Sequence, residues 1–119
     1  MTAEEKRDYQ KLAPKYRNYY DFQQSLHPQW SHFQLMNRVA FQIKIDGFID
    51  DGGNVDPVDP DFWKTIIGKV DQWFSTTFPN LYNKVRDVFS RISAELSDMI
   101  KKGIKVIGDF LERLLNMLN

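Results

Sequence analysis

From Leu81 onward the large apolar residues of this 119-residue chain recur every eleven positions, and that period restricts what the C-terminal third can fold into. Leu81, Ile92 and Leu114 share one row; Val85, Leu96, Ile107 and Leu118 share a second; Val88, Met99 and Phe110 share a third. Two flanking rows hold Tyr82, Ile104 and Leu115, and Phe89, Ile100 and Leu111, with only Gly103 and Ser93 breaking the pattern. Eleven residues in three turns is about 3.67 per turn, so the apolar stripe runs nearly parallel to a straight α-helix axis. The spacing therefore predicts one long amphipathic helix over about 79–117. Some 38 helical residues at about 1.5 Å each would span about 57 Å, whereas a compact chain of this size has a radius of gyration of about 13–14 Å. Either the helix breaks, at Gly103 or Gly108 where glycine costs about 1 kcal/mol relative to alanine, or something outside the chain covers the excess stripe.

The preceding segment reads as a second amphipathic helix. Asp59 is placed to cap it, Pro60 fits its first turn and Asp61 favours its positive end. Phe62, Trp63, Ile66, Ile67, Val70, Trp73 and Phe74 then follow a 3.6-residue period, and Thr77-Phe78-Pro79 separates this helix from the next. The candidate interaction residues are Leu81, Val85, Val88, Phe89, Ile92, Leu96, Met99, Ile100, Ile104, Ile107, Phe110, Leu111 and Leu114, with Trp63 and Trp73 on the neighbouring helix. Three surfaces compete to cover them: the chain's own helices, other protein subunits, or a membrane surface. The mixed charge of the polar face, Asp87, Glu95, Asp98, Asp109 and Glu112 among lysines and arginines, counts against lipid, which favours a basic face.

Before residue 46 the chain is an aromatic-rich helical segment. Thr2 and Glu5 have capping-box spacing, Pro14 interrupts the first helix, and Lys15 to about Ser25 forms a second that carries Tyr16, Tyr19, Tyr20 and Phe22. Another helix can begin at Pro28, ahead of Trp30, Phe33, Leu35 and Met36. Between Val39 and Asp46 apolar and polar residues alternate, the period of a half-buried strand, and Asp46-Gly47 suits a hairpin turn. A helix through Leu35, Val39 and Ile43 fits the same residues. Residues 46–60 then form an acidic Gly/Pro linker, which divides the chain into 1–45, 46–60 and 61–119. The expected fold class is all-α or mostly so, with a small β-hairpin near 39–49 as its one exception and two amphipathic C-terminal helices, the last one long.

Chemistry is harder to find than surface. With no cysteine, thiol catalysis, disulfides and cysteine-ligated metals are excluded. His27 and His32 are five apart, off the four-residue spacing of a metal pair on one helix. Asp50, Gly52, Asn54 and Asp56 alternate like calcium ligands but lack the glycine and terminal glutamate of an EF-hand loop. No phosphate loop and no nucleophile–base pair stands out. Sixteen basic residues balance sixteen acidic ones, which leaves no field to attract nucleic acid. The expectation is a protein with no cofactor and no metal, not an enzyme. Its N-terminus does not read as a signal peptide and it has no transmembrane helix, so the expected place is cytoplasmic or the host-cell interior.

These features point to a non-catalytic structural or adaptor subunit, a component of a viral particle or large complex. Its C-terminal helices would mediate homo- or hetero-oligomeric assembly by coiled-coil-like packing. Membrane-peripheral action through the same helices is the alternative. A small-ligand binder or enzyme, with a pocket among Tyr16, Tyr19, Trp30 and Phe33, is the third reading.

Overall fold

A computed structural model describes residues 1–106 and 109–118, and every described element is helical. In chain order these are α1 (Ala3–Lys11), α2 (Pro14–Leu26), α3 (His32–Asp50), α4 (Pro60–Thr77), α5 (Pro79–Tyr82), α6 (Arg86–Lys102) and α7 (Phe110–Asn116). The start signals behave as their chemistry dictates. Thr2 accepts from the Glu5 N–H at 3.1 Å while the Glu5 carboxylate accepts from the Thr2 N–H at 2.8 Å. Leu12 and Ala13, next to Pro14, are extended, because the proline ring disfavours a helical residue before it. Asp59 caps α4 by accepting from the Asp61 N–H at 2.9 Å, with Pro60 at the first helical position.

Residues 39–49 are not a hairpin; they lie inside α3, which continues through Asp46-Gly47 to Asp50. Its first half is buried almost all round, from His32 to Asn37 and from Val39 to Phe41, so no exposed face remains to impose a 3.6-residue period. The alternation of Val39, Phe41, Ile43 and Ile45 arises from that coverage rather than from a pleat. The deciding signal is polar and spaced by four: Arg38 donates to Gln42 at 3.3 Å, and Gln42 donates to Asp46 at 2.9 Å, one ridge along the helix. α3 also begins later than Pro28, at a capping box in which Ser31 and Gln34 exchange hydrogen bonds of 2.7 and 3.3 Å. The irregular connector is correspondingly shorter than 46–60 and runs from Asp51 to Asp59, with Gly52 in the left-handed region at φ 88°.

The long C-terminal helix is also divided. The described residues measure 44 × 30 × 27 Å with a radius of gyration of 14.2 Å, so a straight rod of about 57 Å would overhang them. The chain leaves the helical ladder at Asn83–Val85 and again at Gly103. Gly103 has φ 66°, a backbone state that glycine alone adopts without strain. There the N–H of Gly103 bonds the Ile100 carbonyl at 3.2 Å and that of Ile104 bonds the Met99 carbonyl at 3.0 Å, a left-handed cap that ends α6. Gly108 lies outside the described residues.

One core joins all of this. α3 and α4 are antiparallel, with Phe33 against Phe74 and Phe48 against Phe62, both at 5.5 Å between ring centroids. α6 lies along α4, and α2 and α7 flank α3. Tyr20, Met36, Phe41, Ile66, Val70, Phe74, Leu96, Leu115 and Leu118 are almost completely enclosed. The last helix is tied back by Trp30, whose Nε1–H donates to Asn116 at 2.9 Å, and by Gln34, which donates to the Leu115 carbonyl at 3.3 Å.

Candidate interaction surface

The eleven-residue stripe faces inward. Of its candidate residues Val85, Phe89, Ile92, Leu96 and Leu114 are buried, as is Trp63. Leu81, Val88, Met99, Phe110, Leu111 and Trp73 are half-buried against the same core, and Ile100 is half-buried in the wall of a surface cleft. Ile107 lies outside the described residues. Ile104, just past the Gly103 cap, is the candidate left exposed, at 48% of its surface. The stripe remains useful after the helix breaks because α6 and α7 each turn their share of it toward α3 and α4.

Ile104 does not stand alone. The N–H of Val106 donates to the Val58 carbonyl at 2.9 Å, which holds the segment after α6 against the connector. Trp63 also holds that connector, donating to the Pro57 carbonyl at 2.7 Å. Val55 and Val58 are about two-fifths exposed. Val58, Pro60, Ile100, Gly103 and Ile104 line a cleft of ≈ 320 Å³ edged by Asp56, Asp59, Asp61 and Lys105. None of those four charged residues forms an ion pair among the described residues. The result is an apolar patch in an acidic frame, built from backbone pinned at two points.

A second cleft, of ≈ 490 Å³, follows the α3–α4 seam. Ile43, Phe48 and Trp73 form its apolar floor, and Lys44, Gly47, Asp51, Lys69, Gln72 and Thr76 complete it.

Tyr16 and Tyr19 of α2 serve the α2–α3 contact, while Phe22 is exposed. Tyr16 donates to Asp46 at 2.8 Å, Tyr19 donates to Gln42 at 3.3 Å, and the Arg38 guanidinium lies 5.2 Å from the Tyr19 ring. Burial and the hydrogen bond to Asp46 push the Tyr16 phenol up to about 12. Burial raises the Asp46 carboxyl, but the hydrogen bonds from Gln42 and Tyr16 and the Lys15 charge at 3.6 Å outweigh it and leave it below its ordinary value. Tyr16 and Tyr19 share a cleft with Lys15, Gln42 and Asp46. Trp30 and Phe33 do not join them: Trp30 stacks on His27 at 3.7 Å and Phe33 packs on Phe74.

One polar cluster has no local trace in the sequence. His32 is buried with Nδ1 2.8 Å from the Tyr20 hydroxyl and Nε2 3.2 Å from Asp8, so both ring nitrogens are engaged. Tyr20 is 1% exposed, and burial, followed by the nearby charges of Glu5 and Asp21, raises its phenol far above the ordinary value. The cluster spans α1, α2 and α3, and its enclosure makes it a pin between helices, with the phenol shut away from solvent. The two histidines go separate ways, since His27 lies 3.9 Å from Glu112. Among the described residues no three His, Asp or Glu side chains are grouped closely enough to hold a metal ion. None of the described helices is long and apolar enough to cross a membrane.

The chain matches no protein-family model, and comparison with curated proteins and with solved structures finds no matching relative.

Proposed function

We propose that this protein is a non-catalytic structural or adaptor subunit that works by contact with other protein chains. Its contact surface, in this reading, is the Val55, Val58, Ile100 and Ile104 patch rather than the whole C-terminal stripe. The observation that carries the reading is the placement of Ile104. Nearly every other stripe residue is wholly or partly enclosed by the chain's own helices, yet Ile104 stays outside beside exposed Val58, on backbone locked by the Val106–Val58 hydrogen bond. Apolar side chains held rigidly in water lose little conformational freedom when a partner covers them, so their burial converts into affinity with a small entropic offset. Each is already more than half covered, so completing its burial contributes less than the full transfer of such a side chain, about 1.5–3 kcal/mol. The inward packing of α6 supports protein contact over lipid contact, because a surface-bound helix needs its apolar face free.

The experiment is a Val58→Glu/Ile104→Glu variant. It is expected to keep the wild-type circular dichroism and thermal midpoint while losing the association seen by light scattering or by co-purification with a partner subunit. Association that persists undiminished would contradict the reading.

A further inference from the structure

The α3–α4 cleft and the connector complement one another in both shape and charge. The cleft has an apolar floor of Ile43, Phe48 and Trp73, and Lys44 and Lys69 stand along its sides. Neither lysine has an acidic partner within ion-pair distance among the described residues. The connector carries the opposite arrangement: exposed Val55 and Val58 beside Asp56, Asp59 and, in the first turn of α4, Asp61, none of them with a cationic partner in ion-pair distance among the described residues. From Ile43 to Asp51 the groove follows about two helical turns, or about 12 Å. The turn over Asp56–Asp59, closed by the Asp59 N–H to the Asp56 carbonyl at 3.1 Å, spans less than about 7 Å, so it fits within that length with Asp56 beside the lysines. The chain's own connector borders the groove, with Gly53 against the Phe48 ring, and its later residues are held by Val106 and Trp63.

We propose that the α3–α4 groove receives the connector of a second copy of this chain. This deepens the reading above and rests on it, since Val58 belongs to both surfaces. The two patches adjoin at Asp51, where the groove ends and the connector begins. That adjacency lets the exchange be reciprocal: each copy gives its connector and receives the other's, the self-complementary geometry of a two-fold dimer. Both patches are small, which places the dimer in the weak class that buries less than about 1,200 Å² in total. Its exposed ion pairs are screened by salt, so it dissociates as salt rises.

Charge reversal on the full chain tests this by sedimentation velocity at about 100 μM, a concentration chosen for a weak interface. Wild type is expected to sediment as a dimer that becomes monomeric on dilution. Lys44→Glu/Lys69→Glu sets acid against acid and Asp56→Lys/Asp61→Lys sets base against base, so each variant alone shows half the wild-type mass. An equimolar mixture of the two matches both grooves to both connectors and restores the dimer; failure of the mixture to restore it overturns the proposal. A wild-type chain that is monomeric at every concentration overturns the second-copy occupant and leaves the Val58–Ile104 patch for a different protein. A dimer abolished by Ile104→Glu but indifferent to both charge reversals overturns the groove and upholds the patch. A dimer indifferent to all these changes overturns both.

Discussion

The Val106 N–H and the Val58 carbonyl meet at 2.9 Å across 48 residues of sequence, and through that bond the end of α6 and the acidic connector become one surface. Most of the described eleven-residue stripe turns inward from it. The chain uses its eleven-residue stripe as core where α3 and α4 cover it, and leaves Ile104 outside at the turn that follows α6.

The contrast between Ile104 and Leu96 follows. Leu96→Ala opens a cavity at a fully buried position and is expected to cost about 2–5 kcal/mol; Leu96→Asp buries an unpaired charge and should prevent folding. Ile104→Asp, at an exposed site, is expected to change stability by no more than about 0.5 kcal/mol. Urea denaturation of the three variants checks this, and a large loss for Ile104→Asp would place that residue in the core.

Gly68 and Gly103 should respond to alanine with opposite signs. Gly68 lies inside α4 with open space where a Cβ would go, so Gly68→Ala is expected to stabilise by about 0.5–1 kcal/mol. Gly103 has φ 66°, where alanine is strained by about 1–2 kcal/mol. Thermal midpoints of the pair are expected to move apart in those directions.

Much of this architecture was legible in the sequence, and the misreadings have physical causes. The capping box at Thr2, the break before Pro14 and the Asp59–Pro60 start of α4 are local chemistry and need no tertiary information. Residues 39–45 were ambiguous because α3 is covered on nearly every side, and burial on all sides erases a helix's own period. The Arg38–Gln42–Asp46 ridge held the answer at a spacing of four. The C-terminal stripe was legible as a helical face but its covering was not, since periodicity records that a face is apolar and says nothing of what lies on it. The Val58–Ile104 patch and the Asp8–His32–Tyr20 cluster join residues far apart in the chain, and no local pattern marks them.

Alkaline pH should loosen the α2–α3 contact. Tyr16 has an ordinary value of 10.0 and is raised to about 12 in the fold, so folding favours its neutral phenol. That contribution is complete below about pH 10, where both states are protonated, declines as pH rises further, and is lost above about pH 12. Tyr20 shifts in the same direction and for the same leading reason, burial. Ultraviolet titration is expected to show Tyr16 and Tyr20 ionising late, together with unfolding. In Tyr16→Phe the fall in stability across that window should be shallower.

His32 depends on both its neighbours. Tyr20→Phe removes the hydroxyl that meets Nδ1 and leaves a buried ring nitrogen without a partner, a cost of about 1–3 kcal/mol. A double-mutant cycle with Asp8→Asn, read by urea denaturation, is expected to show coupling between the two ends of the cluster. Strict additivity would mean that the imidazole does not link them.

Amide hydrogen exchange on the chain diluted to its monomeric state decides whether the stripe is covered from within. The amides of Phe89, Ile92 and Leu96 in α6 should then be protected to the same degree as those of Ile66 and Val70 in α4, because both helices share one core. If α6 exchanges like an unfolded peptide in the monomer and gains protection only on association, the stripe is covered by a partner and the inward packing described for this protein is wrong.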